Sequence, residues 1–320
     1  MSTVNFSALI STCAALLLLI ALGYLLRRIG VTDEDFTAKL SALVAKAGMP
    51  CLMLHSITSL AFSEEKLRNG VWILVFGTLA HVLMALLAGL IFRGVKDTDE
   101  KKIYRFGCIF SNCAFIGYPI LGALFGEVGL FYGAFYVVTY NLGCWSYGVL
   151  LMARGKPGYK ITLKSIFLNA GMLSCILGLA LYALQVPIPS FLRMTAMHVG
   201  NLCTPLSLIV TGSLLATVPL AKLFLSRKLY LFCAVKLVAL PLVFALVLHL
   251  SGANRLIGDI DLTVFLAVMT SLPPAALTSL LASMYGVKPS FAARLVSLGT
   301  LLSPFTTLLV IRLTQLISLI

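Results

Sequence analysis

Residues Ser111–Pro119 read S-N-C-A-F-I-G-Y-P and lie in the middle of an apolar run from 103 to 125. A run of this length is typical of a helix that crosses a bilayer. Its centre nevertheless holds Asn112, Gly117 and Pro119, and proline removes an amide donor and clashes with the carbonyl four residues earlier. Because lipid cannot satisfy the freed backbone groups, we expect a helix break that lies against protein or lines a watery cavity. Such breaks at mid-membrane are typical of secondary transporters.

The composition is that of a polytopic membrane protein. Of the 320 residues, 60% are hydrophobic and 11% are charged, and the mean hydropathy is +1.03. The net charge of +13 comes from loops between apolar runs, where it sets topology and suits contact with lipid headgroups, so we expect no nucleic-acid binding. The eight cysteines all lie in apolar runs without a C-x-x-C pair, which predicts packing residues and neither disulfides nor a metal site.

The apolar runs predict ten transmembrane helices. They lie at about 6–26, 36–60, 69–92, 103–124, 129–153, 165–184, 191–217, 228–250, 262–284 and 290–318. Counted over alternate loops, 17 lysines and arginines fall on one side of the membrane and 5 on the other. By the positive-inside rule, this split predicts a multi-pass inner-membrane protein with both termini on the extracytoplasmic side.

The prolines indicate an internal repeat of five plus five helices with opposite orientations. Pro50 and Pro205 interrupt the second and seventh runs, and Pro119 and Pro274 interrupt the fourth and ninth, both pairs at an offset of 155 residues. The basic stretch between the halves contains glycine and proline, which is typical of a linker. We predict a first repeat at 1–153, a cytoplasmic linker at 154–164 and a second repeat at 165–320.

A second pair of landmarks gives a different register for the ninth helix. Phe125–Gly126 corresponds to Tyr285–Gly286 at an offset of 160 residues. In this register Thr278–Ser279 corresponds to Tyr118–Pro119, so no proline is the counterpart of Pro119. The sequence leaves both registers open.

The ionisable residues embedded in the runs are cationic or protonatable. All eleven acids lie in loops or at the ends of runs, whereas Lys46, His81, His198 and Lys236 lie near mid-membrane. Embedded ionisable groups are expensive and usually functional. Without an embedded carboxylate, these favour an anionic ligand and argue against a cation pump. Each also has a structural interpretation, because a lysine can snorkel to the interface and a lone histidine is often hydrogen-bonded packing.

Asn112 is the polar residue that we expect to contact a ligand, because an amide can donate to a carboxylate without burying a charge. Its alternative role is a hydrogen bond between helices. The predicted substrate site consists of Asn112, Cys113, Gly117, Pro119, Pro273, Pro274, Thr278, Lys236 and His81, and the predicted gating or support residues are Pro50, Lys46, Pro205 and His198. The sequence has no hydrolase, ATPase or protease motif, so we expect no enzyme activity and no cofactor.

Several stretches match one family pattern. They are G-Y-L-L-R-R-I-G at Gly23–Gly30, A-G-M-P-C-L-M-L-H-S at Ala47–Ser56, S-N-C-A-F-I-G-Y-P-I-L-G-A-L-F-G at Ser111–Gly126, P-L-S-L-I-V-T-G-S-L-L-A at Pro205–Ala216 and L-P-P-A-A at Leu272–Ala276. On these residues the chain resembles the auxin efflux carrier family, which includes plant PIN proteins and bacterial dicarboxylate carriers. The third stretch is similar to the family's N-T-x-x-x-G-x-P-L-x-x-x-x-x-G crossover. Cys113 replaces the usual threonine, and Leu277–Thr278 stand where relatives often carry an asparagine or a second proline.

The resemblance implies an all-α inverted repeat in which broken helices 4 and 9 cross near mid-membrane. Helices 1, 2, 6 and 7 would form a scaffold that dimerises, and helices 3–5 and 8–10 would form a transport bundle that moves as an elevator. The implied substrates are small mono- or dicarboxylates, such as malate, malonate or auxin, bound at half-helix N-termini.

Two alternatives to such an organic-anion carrier stay open. One is a sodium-coupled carrier of the related bile-acid type, and the other is a receptor of the same fold that binds without transporting. The lack of an embedded carboxylate argues against the sodium-coupled carrier, although carbonyls and hydroxyls also bind sodium.

Overall fold

The computed structural model describes residues 6–155, 167–219 and 223–318. Within these residues the chain is helical and has no β-strand beyond one isolated pair of bridged residues. From residue 156 onward, the predicted linker lies outside the described residues. Among the described helices, seven stretches are long and apolar enough to cross a membrane, and two shorter apolar helices accompany them.

The described residues form fifteen α-helices. In chain order they are α1 (Phe6–Arg28), α2 (Glu34–Leu43), α3 (Met49–Thr58), α4 (Glu64–Ile91), α5 (Thr98–Ile109), α6 (Tyr118–Gly143), α7 (Val149–Ala153), α8 (Ala170–Ala183), α9 (Ser190–Asn201), α10 (Cys203–Leu215), α11 (Arg227–Ala234), α12 (Leu240–Leu250), α13 (Leu262–Ser271), α14 (Leu277–Met284) and α15 (Pro289–Ile317). Four π-helical turns precede α3, α6, α7 and α12, at Val44–Gly48, Cys113–Gly117, Cys144–Gly148 and Val235–Ala239.

In the region of the predicted fourth and fifth helices, the helix boundaries of the structure differ from the predicted ones. The predicted fourth helix is non-helical at Phe110–Asn112, and a helical stretch then runs over Cys113–Ala153. This stretch turns at Gly126, whose backbone has φ 59° and ψ −146°. A residue with a side chain rarely adopts a positive φ, whereas glycine does so at little cost. The turn therefore lies at the glycine that ends the quoted family motif.

Pro50 does not break its helix as the sequence predicts, and a second proline, Pro241, lies in the same local structure. Before Pro50 the helix continues through the π turn Val44–Gly48, and before Pro241 it continues through Val235–Ala239. A π turn contains one extra residue, and we attribute its presence here to the carbonyl that the proline ring would otherwise strike. Pro205 lies in the first turn of α10, where a missing amide proton is tolerated.

Pro119 also lies in the first turn of a helix, α6, and not at a break. The nearest non-helical residues before it are Phe110–Asn112. In the ninth predicted helix, by contrast, the prolines lie within the interruption itself, because α13 ends at Ser271 and α14 begins at Leu277.

The chain forms two compact units, each built from separate segments of the sequence. Unit 1 comprises Met1–Val75, Ala114–Leu142 and Thr162–Ala216, and unit 2 comprises Phe76–Cys113, Gly143–Ile161 and Thr217–Ile320. Both units therefore take segments from both predicted halves. The N-terminal part of α4 lies in unit 1 and its C-terminal part in unit 2.

In unit 1, α1 packs against α10 at very short range. A Cβ atom on Gly23 would lie 2.1 Å from the carbonyl oxygen of Ile209, and one on Gly212 would lie 2.0 Å from that of Ile20. Small residues of this kind let membrane helices approach backbone to backbone. The close approach is reciprocal, so both glycines are required for it.

In unit 2, α12, α13 and α15 pack around a fully buried apolar centre. Ala245, Ala267 and Val310 are each 0% exposed. α13 itself is buried along its whole length, from Leu262 to Ser271. This explains why a helix of only 10 residues is stable, since tertiary packing supplies most of the stability of short helices.

Candidate functional site

The two helix interruptions of unit 2 are joined to each other by backbone hydrogen bonds. The amide of Asn112 donates to the carbonyl of Pro273 over 2.8 Å, and the amide of Ala275 donates to the carbonyl of Phe110 over 2.9 Å. Ser111 and Pro274 face each other as an isolated antiparallel pair. We call the two segments, Phe110–Asn112 and Leu272–Ala276, the crossing.

Local sequence explains one of the two interruptions. Leu272 precedes a proline and has an extended backbone, with φ −62° and ψ 154°, as expected for a residue in that position. Pro273 and Pro274 have no amide proton and so cannot continue the hydrogen bonding of α13.

The other interruption depends on tertiary contacts. Phe110 is also extended, with φ −103° and ψ 100°, but no proline follows it closely. Its carbonyl accepts from Ala275, which a continuous α5 would prevent. Its ring lies 4.7 Å from that of Phe106, centroid to centroid.

A lysine ammonium lies at the crossing. Lys236 Nζ donates to Ser111 Oγ over 2.7 Å and to the carbonyl oxygen of Thr270 over 2.9 Å. The lysine is 0% exposed and belongs to the π turn Val235–Ala239, which packs against α13 and α15. None of the ion pairs between described residues involves Lys236.

Three further predicted residues of unit 2 are buried. Thr278, in the first turn of α14, is 0% exposed, and its hydroxyl has no hydrogen-bond partner among the described residues. Asn112 is 7% exposed. His81 Nδ1 lies 2.7 Å from the carbonyl oxygen of Gly77, and its ring lies 5.9 Å from that of Phe110. The structure thus places Asn112, Cys113, Pro273, Pro274, Thr278, Lys236 and His81 together in unit 2.

The remaining predicted residues belong to unit 1. Gly117 ends the π turn before α6, and Pro119 follows it. The side chains of Lys46 and His198 are exposed, in contrast to that of Lys236.

The segments that contain Pro50 and Pro205 pack against each other within unit 1. A Cβ on Gly48 would lie 3.6 Å from Cys203, and one on Gly200 would lie 2.9 Å from the backbone nitrogen of Leu52. Pro50, Lys46, Pro205 and His198 therefore lie on neighbouring segments of unit 1, and their gating or support role stays a prediction.

Sequence reasoning missed the partners of Lys236. Ser111 and Thr270 are buried and provide its two oxygen contacts. Ser111 is adjacent to Asn112 and Thr270 lies three residues before Pro273, and the sequence singled out both of those residues. The polar pair Thr270–Ser271, placed directly before Leu272–Pro273 in an apolar run, was the available signal.

Two of the loop acids have a structural role that the sequence analysis did not predict. Asp97 accepts from the amides of Asp99 and Glu100 at the start of α5, and Asp261 accepts from that of Val264 at the start of α13. Aspartate is among the preferred N-cap residues. These carboxylates start the two helices that end at the crossing.

The crossing is closed to solvent in this structure. Ser111 is 2% exposed, and Lys236 and Thr278 are 0% exposed. A cavity of about 570 Å³ lies elsewhere in unit 2, lined by Lys101, Lys102, Arg105 and Arg154 among others. Among the described residues, no group of three or more His, Cys, Asp or Glu side chains could hold a metal ion.

Comparison with known proteins identifies the family. A family described as membrane transport protein, Mem_trans, matches residues 8–311. The chain belongs to this family. The match confirms the resemblance to auxin efflux carriers that the sequence motifs indicate.

A relative from the same comparisons is an uncharacterized transporter of Methanothermobacter thermautotrophicus. It is 28% identical to this chain over 159 residues, which is 49% of this chain and 52% of the relative. The chain thus spans about half the length of the curated relative that it matches.

Proposed function

We propose that this protein is a secondary transporter of small organic anions, with mono- or dicarboxylates binding at the crossing. One observation carries the proposal. Two interrupted helices meet through backbone hydrogen bonds in a buried place. This place contains an ammonium, an amide and the hydroxyl of Thr278, which has no hydrogen-bond partner in the described part of the chain. These groups donate hydrogen bonds, as a carboxylate ligand requires.

Helix dipoles add to this preference for an anion. The π-helical turn that leads into α6 begins at Cys113 and α14 begins at Leu277, so two helix N-termini lie directly next to the crossing in the chain. The N-terminus of a helix carries a partial positive charge and favours anions. No acid lies close by in sequence, since those nearest to the crossing are Glu100, Glu127 and Asp261.

We further propose that the crossing is that of helices 4 and 9 in a ten-helix inverted repeat. Three matched features support the repeat. Asp97 and Asp261 cap the two helices that end at the crossing, and those helices are followed by Phe110 and Leu272, both extended. Gly126 and Gly286 both have positive φ, of 59° and 62°, and this pair supports the register with an offset of 160 residues.

We propose an elevator mechanism, in which the transport bundle of helices 3–5 and 8–10 carries the substrate while the scaffold of helices 1, 2, 6 and 7 forms a homodimer. In support, every hydrogen bond described above at the crossing joins residues of unit 2. A body that carries the substrate would have to keep these hydrogen bonds as it moves.

The test is counterflow of radiolabelled malate or malonate in proteoliposomes, with Asn112→Ala compared with Asn201→Ala. Asn201 is an exposed asparagine at the end of α9, and its replacement should leave flux unchanged. We expect Asn112→Ala to reduce flux by about tenfold or more, as the loss of a hydrogen bond to a charged group predicts, while the protein stays folded.

Two outcomes would contradict the proposal. If a folded Asn112→Ala protein transported at the wild-type rate, Asn112 would not contact the ligand and the crossing would not be the binding site. Saturable binding without any counterflow of the tested acids would instead favour the receptor alternative.

A further inference from the structure

The buried ammonium of Lys236 needs an electrostatic explanation. Burying a charge without a partner is strongly unfavourable, yet Lys236 is 0% exposed and forms no ion pair with a described acid. Its two hydrogen bonds are to oxygens without formal charge, the hydroxyl of Ser111 and the carbonyl of Thr270.

The compensation comes from helix C-termini. Thr270 is the penultimate residue of α13, and Ser111 lies two residues beyond the end of α5. The last four carbonyls of a helix lack intrahelical partners, and the end as a whole carries about half a negative charge. The C-terminal ends of α5 and α13 meet at the crossing. The positive charge of Lys236 offsets the partial negative charges of these two helix ends.

The oxygen contacts of Lys236 are those of a small monovalent cation. Carbonyl and hydroxyl oxygens are ligands for hard cations, and carbonyls at the C-terminal ends of half-helices coordinate coupling ions in secondary transporters. A primary ammonium has three donors that satisfy such oxygens in the same way.

We propose that the crossing contains a monovalent-cation site, and that the chain occupies this site permanently with its own Lys236 ammonium. The site needs no exchangeable ion, so sodium is not a requirement for ligand binding or flux. This inference deepens the proposed function, because it removes the need for sodium coupling, but the existence of the cation site does not depend on which anion is carried.

Lys236 belongs to a π turn next to the crossing. Val235–Ala239 packs against both α13 and α15, and the Lys236 ammonium contacts Ser111 and Thr270. The other lysine in a π turn, Lys46 of Val44–Gly48, has an exposed side chain and no such contact with helix ends. It therefore offers a matched control.

The experiment measures thermal unfolding of the purified protein in detergent, at equal ionic strength, in choline, sodium, potassium or propylammonium chloride. Lys236→Ala removes the ammonium and leaves its oxygens exposed to a cavity. We expect its thermal midpoint to rise by several degrees in sodium or propylammonium relative to choline, because a ligand that binds only the folded state stabilises it. The wild type and Lys46→Ala should give the same midpoint in all four salts.

A second variant keeps the test decisive if Lys236→Ala does not fold. Lys236→Met retains a side chain of similar length without the charge, so it should unfold at a lower temperature than wild type and should respond to none of the cations. A Lys236→Met protein as stable as wild type would overturn the proposal, since no cation would then be needed. An equal midpoint of folded Lys236→Ala in sodium, propylammonium and choline would also overturn it.

Counterflow separates this inference from the proposed function. Wild-type flux of the tested acids should be the same in sodium and choline, and sodium or propylammonium should restore part of the flux of Lys236→Ala. Wild-type flux that requires sodium would overturn the proposal that the Lys236 ammonium occupies the cation site. Absence of wild-type flux in every salt, together with the expected shifts in thermal midpoint, would instead count against the proposed function alone.

Discussion

At the scale of single residues, burial separates side chains that the sequence treats alike. Lys46 and Lys236 both lie within apolar runs, but the first is exposed and the second is 0% exposed with two oxygen partners. Thr278 is buried at the crossing, and its hydroxyl has no partner among the described residues. A buried polar group without a partner destabilises the fold, so its presence next to the crossing suits a role in contacting a ligand.

Thr278→Val tests this role, because valine keeps the shape and removes the hydroxyl. We expect counterflow to fall by about tenfold, since a hydrogen bond to a charged ligand is worth about 1.5–3 kcal/mol. Stability should be unchanged or higher, because no hydrogen bond within the protein is lost. The measurements are counterflow and the thermal midpoint of the same preparation.

The control for Thr278→Val is Thr307→Val. Thr307 is also 0% exposed, and its hydroxyl also has no partner among the described residues. It lies eight residues, or about 12 Å along α15, beyond Gly299, which packs on Pro274. Full flux is expected in Thr307→Val; an equal loss of flux in both variants would show that the Thr278 effect is not local to the crossing.

At the scale of elements, close approach between helices depends on a few glycines. On α15, a Cβ at Gly299 would lie 2.8 Å from Cδ of Pro274, and on α5, one at Gly107 would lie 3.1 Å from side chains of Phe232 and Leu295. The helices around the crossing are therefore packed directly against the proline segment. Such packing holds Pro273 and Pro274 in place for the backbone pairing with α5.

Gly299→Ala should destabilise the protein and impair transport. An alanine in mid-helix normally gains about 0.5–1 kcal/mol over glycine, but overpacking a rigid neighbour costs about 1–3 kcal/mol, and the proline ring has little freedom to move. The thermal midpoint and counterflow measure the two effects. Gly94→Ala is the control, because a Cβ there meets no atom within 4 Å; a higher midpoint in Gly299→Ala than in wild type would refute this account of the packing.

At the scale of the whole molecule, charged residues tie together the helix starts at one end of unit 2. Lys288, just before α15, pairs with Asp97 and with Glu100 of α5, and Lys228 of α11 pairs with the same Glu100 at 3.4 Å. The hydrogen bond from Lys288 lowers the pKa of Asp97, and the same bond raises the pKa of Lys288. These pairs link the starts of α5, α11 and α15.

The shifted pKa values predict the pH range in which this network contributes. Because the pKa of Asp97 is lowered, its contribution to stability is complete above its ordinary value of 3.8 and is lost as the pH falls through the lowered value. The contribution of Lys288 is complete below 10.5 and is lost only above that value.

Asp97→Asn should therefore lower the thermal midpoint at neutral pH, and the difference from wild type should shrink in acid. Asparagine keeps the helix cap, so the variant isolates the charge. Asp35→Asn is the control, because its pair with Lys39 is 72–75% exposed and should add little. A difference that stays constant down to about pH 2 would contradict the assignment to an ion pair.

The orientation in the membrane is a second prediction for the whole molecule. The predicted loops carry 17 basic residues on one side and 5 on the other, so both termini should lie outside the cytoplasm. A C-terminal alkaline phosphatase fusion should be active, and a C-terminal green fluorescent protein fusion should be dark. A fluorescent fusion would mean that the number of spans or their alternation differs from the predicted topology.

What the sequence determines about this protein follows from local properties. Hydropathy alone identifies a multi-pass membrane protein, because lipid demands long apolar helices. Leu272–Pro273–Pro274 predicts the interruption after α13, because proline constrains its neighbours along the chain. The motif around Asn112 is enough to recognise the family, which the match over 8–311 confirms.

Only the tertiary structure decides where α5 ends, which lysine is buried, and whether a proline breaks its helix. Phe110 leaves the helix to bond with Ala275, 165 residues further along the chain, and Lys236 is buried because Ser111 and Thr270 supply its oxygens. Pro50 follows a π turn that lets its helix continue. Each of these outcomes depends on the free energy of contacts between distant residues or on backbone accommodation, and neither quantity is present in a local pattern of residue types.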